Sequence, residues 1–281
     1  MMGPVHLAPA GAKESRSQAS VPMSNIHPTA IIDPEAVLGE GVEIGPYSIV
    51  GPHVRVGDGT KIGSHCVLDG YTTIGRECQL FTGAVIGSIP QDLKYEGERS
   101  ELIIGDRNRF REYVTVNPGT KGGGGKTVIG SDCLLMAYAH VAHDCILGNR
   151  VVLANSVALA GHIHIEDAAV VGGLVGIHQF VRVGTLSIIG GCSRVTQDVP
   201  PYSTCVGYPA KVFGLNSEGL RRADVSAEVK DRLHSAFRVL FNSGLSMSHA
   251  IEKVAQDGNH TAEVDHLLEF IRQSKRGVCR A

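Results

Sequence analysis

The chain has no tryptophan, and aromatic residues make up only 5% of its 281 residues. Charged residues are also scarce at 19%, against about 25% in a typical soluble domain. No apolar run approaches the roughly 18 residues that a membrane-spanning helix needs, which excludes such a helix. A net charge of −2 leaves no basic footprint, so general nucleic-acid binding is disfavoured.

Cysteines are few, odd in number and scattered. No CxxC pair occurs among the seven, so neither a zinc ribbon nor a disulfide framework is indicated. We expect them to be small, buried apolar residues in a reducing compartment, the cytoplasm.

The first 24 residues are rich in Ala, Ser and Pro and lack the apolar segment of a secretory signal. We expect an irregular extension over residues 1–24. It is either a transit peptide or an extended start, with Met23 as the natural one.

Glycine, by contrast, is abundant, with 35 residues, and it accompanies a repeat of six. An aliphatic residue recurs at every sixth position from Leu38 to Ile86, and glycine follows most of these residues. The series reappears at Ile104, shifts by one position, and continues from Ile129 to Val195. An α-helix of 3.6 residues per turn cannot keep such a period on one face.

This period is typical of a triangular β-solenoid, in which each hexad forms a short strand and a corner. Three hexads make one coil, and stacked coils lie about 4.8 Å apart, so eight or nine coils are predicted. The aliphatic residue should point inward and the small residue after it should ease the corner. Two segments, Ser88–Ile103 and Gly119–Lys126, leave the pattern, and insertions in a solenoid are often loops on the binding face.

From Ser217 onward the pattern becomes helical. Amphipathic helices are predicted over Val225–Asn242, Met247–Ala255 and Thr261–Ser274, with Ser226 and Ser246 as caps. We therefore divide the chain into the extension 1–24, a solenoid domain 25–215 and a small helical domain 216–281. The helical domain should cover one end of the solenoid and supply side chains to a site.

Histidines gather in one part of the solenoid, at His140, His143, His162, His164 and His178. Because residues one coil apart stack, Gly161 should lie beside His143, and His162 beside Asp144. These positions near corners suit a cleft between two solenoids.

Three interpretations of the histidines compete. They decorate a polar surface; they form a three-His metal site like that of the γ-class carbonic anhydrases; or one of them is a general base for a sugar hydroxyl. The spacing does not match the His-x4-His of the metal family, because here two residues separate His140 from His143, and one separates His162 from His164. In the third interpretation, the Asp144 carboxylate orients His143.

Several stretches carry a specific resemblance: QDLKY (91–95), IGDRNRFRE (104–112), AHVAHDCILGN (139–149), LAGH (159–162), HQF (178–180), GGCS (190–193), QDVPPY (197–202) and NSEGLRR (216–222). Together they closely resemble the UDP-N-acetylglucosamine O-acyltransferases, a hexapeptide-repeat family that performs the first step of lipid A biosynthesis. The matching stretches run through nearly the whole chain after Asn25. The resemblance implies a mainly β fold, a left-handed parallel β-helix with a small C-terminal helical domain. It also implies a homotrimer with active sites between subunits, and neither a metal nor another cofactor.

The resemblance also implies residue roles. His143 would deprotonate the glucosamine 3-hydroxyl, Asp144 would orient His143, and the Gly161 N–H would stabilise the oxyanion. The residues implied to bind sugar, acyl group, nucleotide and diphosphate are Gln91, Asp92, Lys94, His140, His162, His178, Gln179, Asn216, Glu218, Arg221 and Arg222. Gly191 would floor the acyl groove as a ruler and, lacking a side chain, would admit a longer chain. The alternative for Gly191 is a corner residue with an unusual backbone angle.

The implied donor is an acyl carrier protein thioester, and this acidic partner would need a basic surface. Five cations of the central region are candidates for that surface: Arg107, Arg109, Arg111, Lys121 and Lys126. The chain departs from the family at Asn117-Pro118, where members often carry His-Arg. This departure leaves open the preference between N-acetylglucosamine and its 3-amino analogue.

Three rival functions are disfavoured. The N-acyltransferase of the same pathway has a folded domain before its solenoid, whereas we expect only an irregular extension of 24 residues before the solenoid here. Acetyl-CoA-dependent sugar acetyltransferases generally lack the QDLKY loop combined with the AHDC cluster and the helical C-terminal domain. A solenoid that has lost catalysis and serves only as an assembly protein would not need His143, Asp144 and Gly161. We therefore expect transfer of a fatty acyl group, a (3-hydroxy)acyl group, from acyl carrier protein to the 3-hydroxyl of UDP-N-acetylglucosamine.

Overall fold

The computed structural model describes residues 25–258 and 260–280, and the predicted extension 1–24 lies outside them. In the described residues the strands come first and the helices last. Strands from Asn25 to Val195 wind into a three-sided parallel β-helix, and each side is one sheet. We name the sheets A, B and C in the order in which the chain meets them.

Sheet A holds eleven strands: β1 (Asn25–Ile26), β4 (Glu43–Ile44), β7 (Lys61–Ile62), β10 (Gln79–Leu80), β13 (Arg109–Phe110), β16 (Leu134–Leu135), β19 (Val152–Leu153), β22 (Val170–Val171), β25 (Ile188–Ile189), β27 (Ser203–Gly207) and β28 (Ala210–Leu215). Sheet B holds nine: β2 (Ile31–Ile32), β5 (Ile49–Val50), β8 (Val67–Leu68), β11 (Val85–Ile86), β14 (Thr115–Val116), β17 (His140–Val141), β20 (Ala158–Leu159), β23 (Gly176–Ile177) and β26 (Arg194–Val195). Sheet C holds eight: β3 (Val37–Leu38), β6 (Arg55–Val56), β9 (Tyr71–Ile74), β12 (Glu101–Ile104), β15 (Lys126–Ile129), β18 (Ile146–Leu147), β21 (His164–Ile165) and β24 (Arg182–Val183).

The repeat of six sets the register of these sheets. Neighbouring coils are offset by 18 residues, so that Glu43 pairs with Lys61, and Val152 pairs with Val170. The last residue of every strand from Ile44 to Val195 is buried. These aliphatic side chains fill the centre of the solenoid, and their removal from water is its main source of stability.

A second buried position lies two residues before each of these aliphatic residues. It takes mostly small side chains, among them Cys66, Cys78, Cys133 and Cys145, with Leu102 and Ile163 as larger exceptions. Burial raises the pKa of the Cys133 thiol to about 11, so it stays neutral and serves as packing, as predicted. The prediction is wrong for Cys192, which is exposed.

The corners differ from the expectation. The residue with left-handed backbone is the third after the aliphatic residue, as at Tyr47 with φ 58°. The glycine directly after the aliphatic residue has another role, because neighbouring coils approach each other closely there. A Cβ at Gly57 would lie 2.6 Å from the Gly75 carbonyl carbon.

The two insertions interrupt the 18-residue offset in consecutive coils. Gln79 pairs with Arg109 and Arg109 pairs with Leu134, so the second insertion causes the shift of phase by one. The loops cover residues 87–100 and 117–125, and both lie at the corner where sheet B passes into sheet C. The first insertion ends earlier than predicted, because β12 already begins at Glu101.

Four helices follow the last strand: α1 (Ser217–Arg222), α2 (Ala227–Asn242), α3 (Met247–Gln256) and α4 (Ala262–Arg272). Ser226 and Ser246 cap α2 and α3, as predicted. The domain division at 215/216 stays a prediction. Of the described helices, none combines the length and the apolarity needed to cross a membrane.

The helical segment packs against the last coils of the solenoid. The Arg182 guanidinium stacks over the Phe270 ring of α4, 4.1 Å from its centroid, and His266 of the same helix lies 3.1 Å from the Glu166 carboxylate. The chain then returns to the solenoid, where Asp198 and Val278 form a parallel bridge. This return brings the C-terminal residues beside the histidine-rich coils.

Candidate active site

Five successive coils build one corner between sheets B and C, which we call the B–C corner. Its parts are the loops 87–100 and 117–125, and the turns that carry His143, His162 and His178. Residues far apart in the sequence become neighbours here, because each coil adds about 4.8 Å along the axis.

His143 and Asp144 form the centre of this corner. His143 Nδ1 donates to Asp144 Oδ2 at 2.7 Å, and only 8% of the His143 side chain and none of the Asp144 side chain is exposed. Asp144 occupies the left-handed corner position, with φ 60°. The hydrogen bond places the imidazole proton on Nδ1, because an ionised carboxylate can only accept, and so leaves Nε2 as the basic atom.

Gly161 lies directly beneath the His143 ring, as the coil spacing predicts. A Cβ at Gly161 would come 2.7 Å from His143 Nε2, so any larger residue would displace the imidazole. The Gly161 N–H donates to no acceptor among the described residues. A base and an unoccupied backbone donor therefore adjoin each other.

His162 lies on the other side of the same carboxylate. Its Nδ1 is 3.8 Å from Asp144 Oδ2, and its ring meets the His143 ring edge to face at 5.1 Å. Phe180, one coil further on, stacks on His162 with centroids 4.4 Å apart. Burial lowers the pKa of His162 more than nearby Asp144 raises it, so its ring is neutral near pH 7.

Two cavities open on either side of the histidine pair. One of about 490 Å³ runs along the outer face of sheet B and is lined by Gln91, His140, His143, His178 and Gln179, among others. In it, His140 Nδ1 lies 2.7 Å from Thr115 Oγ1, and burial lowers the pKa of His140. The other cavity, of about 870 Å³, lies between the insertions and is lined by Asp92, Lys94 and His162.

The remaining predicted residues lie elsewhere in the chain. Asn216 caps α1, Glu218 lies in its first turn, and Arg221 and Arg222 end it. Asn216 Nδ2 donates to Leu186 O at the corner between sheets C and A. Gly191 lies between β25 and β26, at the corner between sheets A and B. The structure thus does not bring these five residues to His143 within one chain.

The α1 residues interact with one another. Asn216 caps the helix by accepting from Gly219 N, and Glu218 accepts hydrogen bonds from both Arg221 and Arg222 at 2.8–2.9 Å. These hydrogen bonds, that of Arg221 above all, lower the pKa of Glu218 to about 2. Glu218 therefore holds two guanidinium groups side by side on an exposed surface.

The five cations expected to form one basic surface do not cluster. Arg107 follows sheet C and pairs with Asp132, whereas Arg111 follows sheet A and pairs with Glu112. Arg109 lies on sheet A. Of the five, Lys121 lies in the loop 117–125 of the B–C corner, and Lys126 begins β15 directly after that loop. The cations are dispersed because the solenoid places residues that are close in sequence on different sides.

Three contacts at the corner were not predicted. Thr120 donates twice to Asp144, Arg276 lies 3.2 Å from His178 Nδ1, and Phe180 stacks on His162. The 18-residue spacing alone could have found Phe180. Asn117, where the sequence departs from the resembled family, donates to the Ser88 and Ile89 carbonyls and so joins the two insertions.

The three groups His143, Asp144 and His162 could also hold a metal ion, since their ligand atoms lie within 4.8 Å of one another. Both Asp144 oxygens, however, already accept hydrogen bonds. Oδ2 already accepts from both Thr120 Oγ1 and His143 Nδ1, and Nδ1 carries the proton of that second bond, so the arrangement fits an oriented base better than a metal centre.

Comparison with known proteins supports the fold. The profile described as "Udp N-acetylglucosamine O-acyltransferase; Domain 2" matches residues 198–279, and bacterial transferase hexapeptide repeats match residues 23–58 and 126–161. The solved structure of LpxA from Acinetobacter baumannii superposes with a TM-score of 0.88 at 44% identity, covering 91% of this chain and 99% of that one. The UDP-N-acetylglucosamine O-acyltransferase of Moraxella catarrhalis gives 0.86 at 41%, again over 91% of this chain and 99% of that one. These likenesses confirm a left-handed parallel β-helix with C-terminal helices.

Sequence relatives agree with this likeness. An acyl-(acyl-carrier-protein)-UDP-N-acetylglucosamine O-acyltransferase of Aliarcobacter butzleri is 51% identical over 91% of this chain and 98% of the relative. One of Burkholderia orbicola is 49% identical over 92% and 100%. The chain therefore belongs to the acyl-(acyl-carrier-protein)-UDP-N-acetylglucosamine O-acyltransferase family.

Proposed function

We propose that this chain transfers a 3-hydroxyacyl group from acyl carrier protein to the 3-hydroxyl of UDP-N-acetylglucosamine, the first step of lipid A biosynthesis, with His143 as general base. Family membership supports the reaction. The one structural observation that carries the mechanism is the buried Asp144–His143 hydrogen bond directly above Gly161.

The chemistry follows from the positions of these three residues. His143 Nε2 takes the proton of the sugar hydroxyl as its oxygen attacks the thioester carbonyl carbon. The Gly161 N–H, free of any acceptor in the described chain, stabilises the negative oxygen of the tetrahedral intermediate. When the carbon–sulfur bond breaks, the imidazolium returns its proton to the departing thiolate. Asp144 holds the ring and stabilises its charged form throughout.

The two cavities supply the substrate positions. Gln91, His140, His178 and Gln179 adjoin His143 along sheet B, while Asp92 and Lys94 adjoin His162 between the insertions. Neutral imidazoles at His140 and His162 can both donate and accept, as recognition of sugar hydroxyls and amides requires. Lys94 and Lys121 line the cavity between the insertions together with Asp92, Glu96 and Glu98, so the acidic carrier protein would meet a surface of mixed charge there.

The nucleotide side of the site requires a second copy of the chain. Arg221 and Arg222 suit a diphosphate, since a guanidinium binds it in a bidentate manner, but α1 and His143 lie at different corners of one solenoid. A homotrimer with sites between subunits unites them. Its reaction draws on a carrier protein and a sugar nucleotide, which is in keeping with a cytoplasmic enzyme.

Replacing the proposed base should abolish most of the rate. We expect His143→Ala to lower kcat by about 10²–10⁴-fold, the usual effect of losing a general base, with an unchanged melting temperature. Acyl transfer is measured with purified carrier-protein thioester and UDP-N-acetylglucosamine. A metal mechanism predicts instead that chelators inactivate the wild-type enzyme, and that result, or near-normal turnover of the variant, would refute the assignment.

Sharing of the site between subunits is tested by complementation. We expect His143→Ala and the double variant Arg221→Ala/Arg222→Ala to be nearly inactive alone. Mixed oligomers formed by co-refolding should regain about a quarter of wild-type activity, because chance assembly leaves that share of sites intact. Pairing His143→Ala with Asp144→Ala is the control and should recover nothing, since both changes affect the same corner. Mixed oligomers that stay inactive would contradict a shared site.

The role of Gly191 as a ruler makes a prediction about donor length. Gly191 has no left-handed backbone angle, and a Cβ there would lie 3.2 Å from Gly173 O, so the alternative based on an unusual angle does not apply. We expect Gly191→Met to shift the preference toward donors several carbons shorter. Each buried methylene contributes about 0.8 kcal/mol, or roughly fourfold in rate. Competing donors of graded length measure the shift, and a parallel loss for all lengths would rule the ruler out.

A further inference from the structure

The Asp144 carboxylate depends on one residue of the second insertion. Thr120 N donates to Asp144 Oδ1 at 2.8 Å, and Thr120 Oγ1 donates to Asp144 Oδ2 at 2.7 Å. Both residues are buried, Thr120 and Asp144 each being 5% exposed as whole residues. Oδ2 thus accepts from the Thr120 hydroxyl and from His143 at once.

The surrounding chain is built to allow these contacts. Thr127 Oγ1 accepts from Asp144 N at 2.8 Å, so two threonines of consecutive segments bracket the aspartate. Gly123 packs against the carboxylate so closely that a Cβ would overlap it. A side chain at position 123 would therefore displace the carboxylate, whereas Gly124 and Gly125 serve the turn through left-handed backbone angles of 96° and 80°.

The first insertion holds the second in place. Glu98 Oε1 accepts from Lys121 N at 3.0 Å, next to Thr120. Glu101, the first residue of the strand after the first insertion, also binds the second insertion. Gly119 N donates to Glu101 O, and Glu101 N donates to Gly125 O. Both ends of the loop that carries Thr120 are thereby fixed.

We propose that Thr120 is a positioning residue for acyl transfer, acting through Asp144 to hold the His143 imidazole with its Nε2 free to accept a proton. This rests on the proposed role of His143 as the general base. The hydroxyl withdraws charge from the oxygen that pairs with the imidazole, and it fixes the direction in which that oxygen faces. Thr120 also lines the cavity between the insertions, but its hydroxyl is engaged with Asp144, so its proposed effect passes through the carboxylate.

Other charged or titratable groups near the pair are His162, 3.8 Å from Asp144 Oδ2, His140, which interacts with His143, and Asp92, which faces His162. None of these side chains donates a hydrogen bond to an Asp144 oxygen within the described chain. Thr120 thus supplies the hydroxyl bond that competes with His143 for Oδ2.

The test compares Thr120→Val, which keeps the shape and loses the hydroxyl, with Thr120→Ser, which keeps the hydroxyl. We expect Thr120→Val to lower kcat by about 10- to 100-fold, the effect of losing a hydrogen bond to a charged group. The KM for UDP-N-acetylglucosamine should stay nearly constant. Thr120→Ser should restore most of the lost rate.

The pH profile separates positioning from mere support of the fold. Without the hydroxyl, the carboxylate pairs more strongly with a charged imidazole, so the acidic limb of the kcat/KM profile should move to higher pH in Thr120→Val. A structural role would lower the rate equally at every pH. Should the Val variant fail to fold, as judged by its melting curve, Thr120→Ala removes the same hydroxyl with a smaller side chain.

Variants in the His143→Ala background distinguish the two proposals. Thr120→Val should add no further loss there, because its effect passes through His143. Wild-type kcat in Thr120→Val, an unmoved pH profile, or a serine variant as slow as valine would overturn the role of Thr120 and leave the general base untouched. Full activity of His143→Ala would instead overturn the general-base role of His143, on which this proposal rests, and leave the acyl-transfer reaction standing.

Discussion

The site depends on how one buried carboxylate is held. Asp144 is removed from solvent, and its two oxygens accept from the Thr120 backbone, the Thr120 hydroxyl and the His143 ring. A buried carboxylate without such partners would pick up a proton and lose its influence on the imidazole. The corner geometry contributes as well, because Asp144 adopts the left-handed angle that directs its N–H to Thr127.

The solenoid determines which residues can meet. Residues one coil apart form columns, so Gly161 underlies His143, and Phe180 stacks on His162. The same geometry keeps residues on different corners apart, however close they are in the sequence. The α1 arginines and His143 are separated in this way within one chain, and the proposed shared site would unite them from two copies.

The sequence predicted the repeating part of the structure well. The period of six determines strand length, the buried face and the coil, so the core residues and the stacking of Gly161 on His143 followed directly. The insertions were harder to predict, because the sequence of a glycine-rich segment shows neither its path nor its contacts. Thr120 and Asp144, for example, are 24 residues apart, which is outside the regular 18-residue spacing. The predicted basic surface does not form, because Arg107 and Arg111 are close in sequence but lie on different sides of the solenoid, where each pairs with a carboxylate. The glycines after the aliphatic residues were assigned the wrong role. They allow neighbouring coils to approach each other closely, and the pattern within one coil does not show that contact.

Catalysis by His143 requires that its proton lie on Nδ1, and nitrogen-15 NMR of histidine-labelled protein measures this directly. The His143 signals are assigned by comparison with His143→Gln, at a pH where the ring is neutral. Hydrogen bonding to Asp144 predicts a protonated Nδ1 and an unprotonated Nε2, the atom that must accept the sugar proton. A ring protonated at Nε2, or one whose shifts change when metal ions are chelated, would contradict the account.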